Sequence, residues 1–293
     1  MRRRGLGAVV IAAVTGGLLA VSGPAFAINS YNAVPAPERT EVGALVVQWD
    51  RDDDPTTPDV VRVVCSGTMI SPDVFLTAAH CTAGFPEGAR FYVSLAQDVQ
   101  SALDAAIDAG LSPEQVADAV AVEGTAHWDP AFPGSADDSH DIAVITFDAE
   151  QAAELASRWS FTPAMLPTES QLSTLGSRAL DAADWTVVGY GSQEAVRGPG
   201  GHVHPGGGVR MKAPVDFNAL STSWVWLSQI APRGYGGACY GDSGGPNFVE
   251  LDGQLILAAI TITGDVPCYA TNVAYRLDTA SARTFLAQYV TLP

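Results

Sequence analysis

Gly241-Asp242-Ser243-Gly244-Gly245-Pro246 is the stretch on which the reading of this chain turns. Glycine carries no Cβ, so the backbone around Ser243 is free to turn tightly and to aim N–H groups at one point, where negative charge on an oxygen would be held. Removing one such donor typically costs about 3 kcal/mol of transition-state stabilisation. A serine hydroxyl is itself a poor nucleophile at neutral pH. It needs a base within hydrogen-bond reach, and the base needs a partner that fixes its tautomer.

Two upstream segments supply those residue types. Leu76-Thr77-Ala78-Ala79-His80-Cys81 offers His80 as base, and Asp141-Ile142-Ala143-Val144 offers Asp141. Of Asp137, Asp138 and Asp141, only the last leads directly into an apolar strand. Gly241-x-Ser243-x-Gly245 also matches the strand-to-helix elbow of the α/β-hydrolases, where the histidine follows the serine. All five histidines here (His80, His127, His140, His202, His204) precede Ser243, so that architecture has no base to use. His140 adjoins Asp141, but successive residues of an extended chain point opposite ways, which places it outside the contact. His202 and His204 lack a third metal ligand nearby and read as flexible surface histidines; no metal site is expected.

Around these segments, short runs rich in valine, isoleucine and threonine, at 44–47, 142–147, 186–188 and 255–262, read as strands. Glycine, proline and aspartate clusters separate them, which favours an antiparallel β architecture over alternating strands and helices. Residues 97–120 break the pattern with helical spacing and a start at Ser112-Pro113-Glu114, as an inserted helical pair would. Residues 279–289 predict a terminal helix behind an Asp278 or Thr279 cap. The glycine-rich run 198–208 predicts a mobile surface loop.

The N-terminus predicts export. Arg2, Arg3 and Arg4 precede an apolar run and the small-residue pattern Ala25-Phe26-Ala27, so residues 1–27 read as a signal peptide and Ile28 as the new terminus. About 266 residues then remain, enough for one large domain or two small ones. Loss of the three arginines takes the formal net charge from -17 to -20, a surface that repels nucleic acid. Asp52-Asp53-Asp54, near Pro55, Pro58 and Asp59, reads as a solvated loop. Four cysteines, Cys65, Cys81, Cys239 and Cys268, suggest two disulfides in an exported chain; three pairings are open, local pairing being the simplest.

Taken together, His80, Asp141 and Ser243 in that order resemble the chymotrypsin/trypsin family of serine proteases. So do Cys65-Ser66-Gly67-Thr68-Met69-Ile70, Trp185-Thr186-Val187-Val188-Gly189-Tyr190-Gly191 and Arg276-Leu277. The resemblance implies an all-β fold of two six-stranded antiparallel β-barrels with a C-terminal helix, to which this chain would add the helical insertion near 97–120. It also implies a triad in the cleft between the barrels, bridges Cys65–Cys81 and Cys239–Cys268, and an oxyanion hole at Gly241 and Ser243. The expected division is 28–165 for the barrel with His80 and Asp141, and 166–293 for the barrel with Ser243.

In such a family a freed N-terminal amine pairs with the aspartate before the nucleophile, which would make Ile28 and Asp242 the activation pair. Asn29-Ser30-Tyr31 departs from the usual aliphatic-Gly-Gly. Primary specificity is set largely six residues before the nucleophile, here Gly237, followed by Ala238; neither is charged, which predicts cleavage after an uncharged apolar or aromatic residue. Gly264 matches the glycine that leaves the pocket mouth open, while Ile262-Thr263 replaces the usual Ser-Trp and Asp265 stands close by. The expected protein is a secreted, extracellular, monomeric serine endopeptidase acting on proteins or peptides, with no cofactor, nucleic acid or, after signal removal, membrane. The competing expectation is a noncatalytic module on the same barrels, its cleft blocked by 97–120 or 198–208.

Overall fold

The computed structural model describes residues 28, 32–52, 57, 59–192, 195–198 and 200–293. The expected signal peptide and most of the acidic run at 52–58 lie outside the described residues. A two-residue strand β1 (Val34–Pro35) leads into β2 (Val42–Trp49), β3 (Val60–Ser71), β4 (Val74–Thr77), β5 (Arg90–Ser94), β6 (Val122–Trp128) and β7 (Ala143–Thr146). The last six close into a barrel in the order β2-β3-β4-β7-β6-β5. The second half contributes β8 (Trp185–Gly189), β9 (Val196–Gly198), β10 (Gly201–Val203), β11 (Met211–Leu220), β12 (Trp224–Ser228), β13 (Pro246–Leu251), β14 (Gln254–Gly264) and β15 (Thr271–Arg276). Here β11-β12-β15-β14-β13-β8 closes through the β8–β11 pairing, and β1 adds to β11 from outside. The two six-stranded antiparallel barrels are those the sequence leads one to expect, and closure leaves neither with an open edge.

The first barrel's strands β2 and β4 are buried almost throughout, whereas β11 of the second shows period-two patterning. Along β11, Met211, Ala213, Val215 and Phe217 are buried while Lys212, Pro214 and Asp216 are more exposed. The expected helical pair is present as α1 (Val99–Asp108) and α2 (Pro113–Val120). Ser112 accepts from the Gln115 amide and the Gln115 side chain accepts from the Ser112 amide, a reciprocal cap, with Pro113 at the first turn. The pair packs against β2, β3 and β6 on the outside of the first barrel. Two further helices, α3 (Ala149–Arg158) and α4 (Gln171–Asp181), connect the barrels, and α5 (Ala280–Leu286) ends the chain behind Thr279, whose hydroxyl accepts from the Ala282 amide. Asp278 is the cap's buried neighbour instead, paired with Arg276 at 2.9 Å and accepting from the Leu172 amide.

The glycine-rich run carries regular structure: β9 and β10 pair as an exposed hairpin, because glycines at the turn remove the steric bar to it. Both disulfides are local, Cys65–Cys81 and Cys239–Cys268. Across the barrel interface Arg210 is buried and donates to the carbonyls of Ala36, Val42 and Leu95 and to the Tyr190 hydroxyl, at 2.9–3.1 Å. Among the described residues no helix is long and apolar enough to cross a membrane.

Candidate active site

His80 sits in the single helical turn Ala79–Cys81 that follows β4. Ala78 and Ala79 are fully buried, so only small side chains fit beneath the turn, and Cys81 ties it to β3. Asp141 is buried at the end of the loop between β6 and β7. Its Oδ2 lies 2.7 Å from His80 Nδ1, and its Oδ1 accepts from the His80 amide at 2.9 Å. One carboxylate thus fixes both the ring and the backbone of the same histidine.

The loop that presents Asp141 is braced from both sides. His140, at φ +50°, turns its ring away from His80 and pairs with Asp129 at 2.8 Å, and the Asp129 amide donates to the Ile142 carbonyl. Asp138 accepts from the Tyr275 hydroxyl at 2.8 Å and the Ser281 hydroxyl at 2.6 Å, both in the second half of the chain. These bonds draw its carboxyl below the usual range, outweighing the partial burial that would raise it.

Ser243 faces this pair from the loop before β13. Its carbonyl accepts from the Ser66 amide of β3, and the Ser66 hydroxyl donates to the Gly241 carbonyl at 2.9 Å while accepting from the Tyr190 amide at 2.8 Å. Buried Ser66 therefore clips the serine loop to the first barrel, a role carried by long-range contacts that its place in Cys65-Ser66-Gly67 does not announce. Gly241, at φ +96°, bends the loop so that its amide and that of Ser243 donate to no acceptor among the described residues. No hydrogen bond joins Ser243 to His80; both line one cleft, a contact that in unliganded sites often tightens only when substrate binds.

Asp242 points the other way, fully buried, accepting from the Gly191 amide at 2.7 Å and the Cys239 amide at 2.8 Å. A side chain at position 191 would run into this carboxylate, so the glycine is required by close approach. Burial pushes the Asp242 carboxyl up to about 7 despite the two N–H groups. Ile28 is buried in the apolar core of the second barrel, together with Ala238 and Val187.

The cleft, about 560 Å³, runs between the barrels. Val64 and Phe85 line it on one side, and Ala238, Tyr240, Ile262 and Gly264 on the other. No described residue of 97–120 or 195–208 lines it. Of the expected pocket residues, Ala238 and Gly264 reach the cleft and Gly237 lies one residue behind the wall. Asp265 is at the rim but spends its carboxylate on the amides of Tyr269, Ala270 and Thr271 at 2.6–3.0 Å, which hold its pKa down against partial burial. His204 is no loose surface histidine: its ring packs edge-on against Tyr240 and its Nδ1 lies 3.2 Å from Cys239 Sγ. That sulfur is committed to a disulfide and offers no thiolate to a metal.

Two closed barrels, with a histidine–aspartate pair and a glycine-flanked serine across the cleft between them, define a serine-type hydrolase fold. The family model described as Trypsin matches residues 52–283, and the chain belongs to that family. Family membership points to protein or peptide substrates.

Proposed function

We propose that this protein is a secreted serine endopeptidase. His80 Nε2 takes the Ser243 proton as Oγ attacks the scissile carbonyl; Asp141 holds the imidazole and balances its charge; the Gly241 and Ser243 amides receive the oxyanion. Collapse of the tetrahedral adduct breaks the C–N bond, the imidazolium gives its proton to the leaving amine, and water later cleaves the acyl-enzyme by the same route. The observation that carries this reading is the meeting, in one cleft, of the doubly bonded His80–Asp141 pair and a serine whose own amide and that of Gly241 have no acceptor among the described residues. The barrel halves 28–165 and 166–293 supply base and nucleophile respectively, and the protein acts as an extracellular monomer.

Removal of residues 1–27 frees the Ile28 amine to pair with Asp242, which has no cationic partner among its described contacts and lies in the same barrel whose core buries Ile28. The uncharged cleft wall at Ala238, Ile262 and Gly264 favours an uncharged apolar or aromatic residue before the cut bond. The test is covalent labelling with a sulfonyl fluoride or phosphonate, expected at Ser243 with one equivalent per chain. Ser243→Ala is expected to abolish labelling and to lower kcat by several orders of magnitude, leaving a small residual rate. Wild-type protein that hydrolyses no peptide and takes no label sinks the proposal.

A further inference from the structure

Behind the cleft wall lies a cluster of buried polar atoms without hydrogen-bond partners. Gln229 is 1% exposed and leaves both Oε1 and Nε2 unpaired; Asn272, with no exposed surface, leaves Oδ1 unpaired. Leaving a buried polar group unpaired costs about 1–3 kcal/mol, so two such side chains in one place call for a ligand that completes them.

Their placement says which ligand. Gln229 continues β12, its amide donating to the Ala270 carbonyl, and stands two residues beyond Leu227, which pairs directly with Asn272. Period two along a strand puts Gln229 and Asn272 on the same face of the sheet. Asn272 also neighbours two cleft residues: Gly264 is its ladder partner on β14, and its Nδ2 lies 3.4 Å from the hydroxyl of Thr261, which also accepts from Asn247 at 3.0 Å. Gln229 lies against Gly237, where any side chain would collide with the carboxamide. The Gln229 carboxamide therefore fills the space a side chain at 237 would take, one layer behind Ala238, which lines the cleft.

Resting on the endopeptidase reading above, we infer that Gln229 and Asn272 select substrates whose residue before the cut bond is uncharged, with a long apolar stem and a hydrogen-bonding tip: tyrosine over phenylalanine, glutamine over methionine. The stem suits the apolar wall, and the tip both donates to and accepts from the carboxamides. A charged tip would enter without a counter-ion, since the rim carboxylate of Asp265 is already saturated by backbone amides.

The experiment compares kcat/KM on otherwise identical fluorogenic peptides ending in tyrosine, phenylalanine, glutamine, methionine, lysine or arginine, with enzyme concentration fixed by sulfonyl fluoride titration. Tyrosine is expected to exceed phenylalanine, and glutamine methionine, by about tenfold or more. Gln229→Leu is expected to bring both ratios close to one. Should that variant fail to fold, near-isosteric Gln229→Glu is expected to raise cleavage after lysine or arginine by about tenfold relative to tyrosine. Titratable enzyme with both ratios near one, a preference for lysine or arginine in the wild type, or a Gln229→Glu enzyme of unchanged profile overturns the inference while leaving the hydrolase reading standing. Absence of titratable serine overturns both.

Discussion

Asp242 is the residue whose ionisation bears most on stability. Its folded carboxyl sits at about 7, above the unfolded value near 3.9, so below about pH 4 it is protonated in both states and costs nothing. As pH rises from about 4 to 7 the unfolded chain loses this proton while the folded chain keeps it, and stability falls. Above about pH 7 the loss levels off, on the order of 4 kcal/mol. A cation beside the carboxylate removes the penalty. Urea unfolding at pH 5 and pH 7.5 is therefore expected to show a stability loss in a chain extended by residues before Ile28, and a smaller one in a chain that begins at Ile28. Asp242→Asn should flatten the profile of the extended form. Identical pH profiles for the two chains would mean that the amine never reaches the carboxylate. At this scale the candidate site was partly legible: His80, Asp141 and Ser243 stand in short runs that single them out, and the fold brings His80 against Asp141 and into one cleft with Ser243. Gln229 and Ser66 were not, because what matters about them is a contact no local pattern announces: Gly237 across a turn for Gln229, and Gly241, far away in the chain, for Ser66.

Among the elements, the helical insertion α1–α2 rests on local signals, and those signals have measurable worth. Ser112→Ala removes the acceptor for the Gln115 amide and is expected to cost about 1 kcal/mol in denaturant unfolding, with hydrolysis unchanged because the helix lies outside the cleft. A cost near zero would show that packing on β2 and β3 alone holds the pair. The same kind of signal marked α3, where Asp148 and Gln151 form a reciprocal cap, but a short alanine-rich run between strands did not stand out. Helix α4 gives no such sign: Ser170 enters it in the left-handed region without a side-chain cap, and Gly176 interrupts it with φ +73°. Its position comes from tertiary contacts, among them the Leu172 amide on Asp278. Barrel closure is equally silent in the pattern, since β8 and β11 pair across a segment that itself folds into a glycine hairpin.

For the whole molecule, the decisive contact is the buried guanidinium of Arg210, which gathers acceptors from residues 36, 42 and 95 of one half and Tyr190 of the other. Arg210→Leu would strand those acceptors between the barrels and is expected to lower stability by about 3 kcal/mol. Because the cleft is made by both halves, kcat/KM should fall with it; activity unchanged at full stability would show that the interface is held elsewhere. The bonds from Asp138 to Tyr275 and Ser281 have a consequence in time. The loop that aims Asp141 is anchored by residues near the C-terminus, so during synthesis on a ribosome the first barrel could close its strands while this loop still lacked its moorings. A nascent or truncated chain ending before Tyr275 would carry His80, Asp141 and Ser243 with the carboxylate unaimed, and the hydrolysis proposed above would stay off until translation was nearly done.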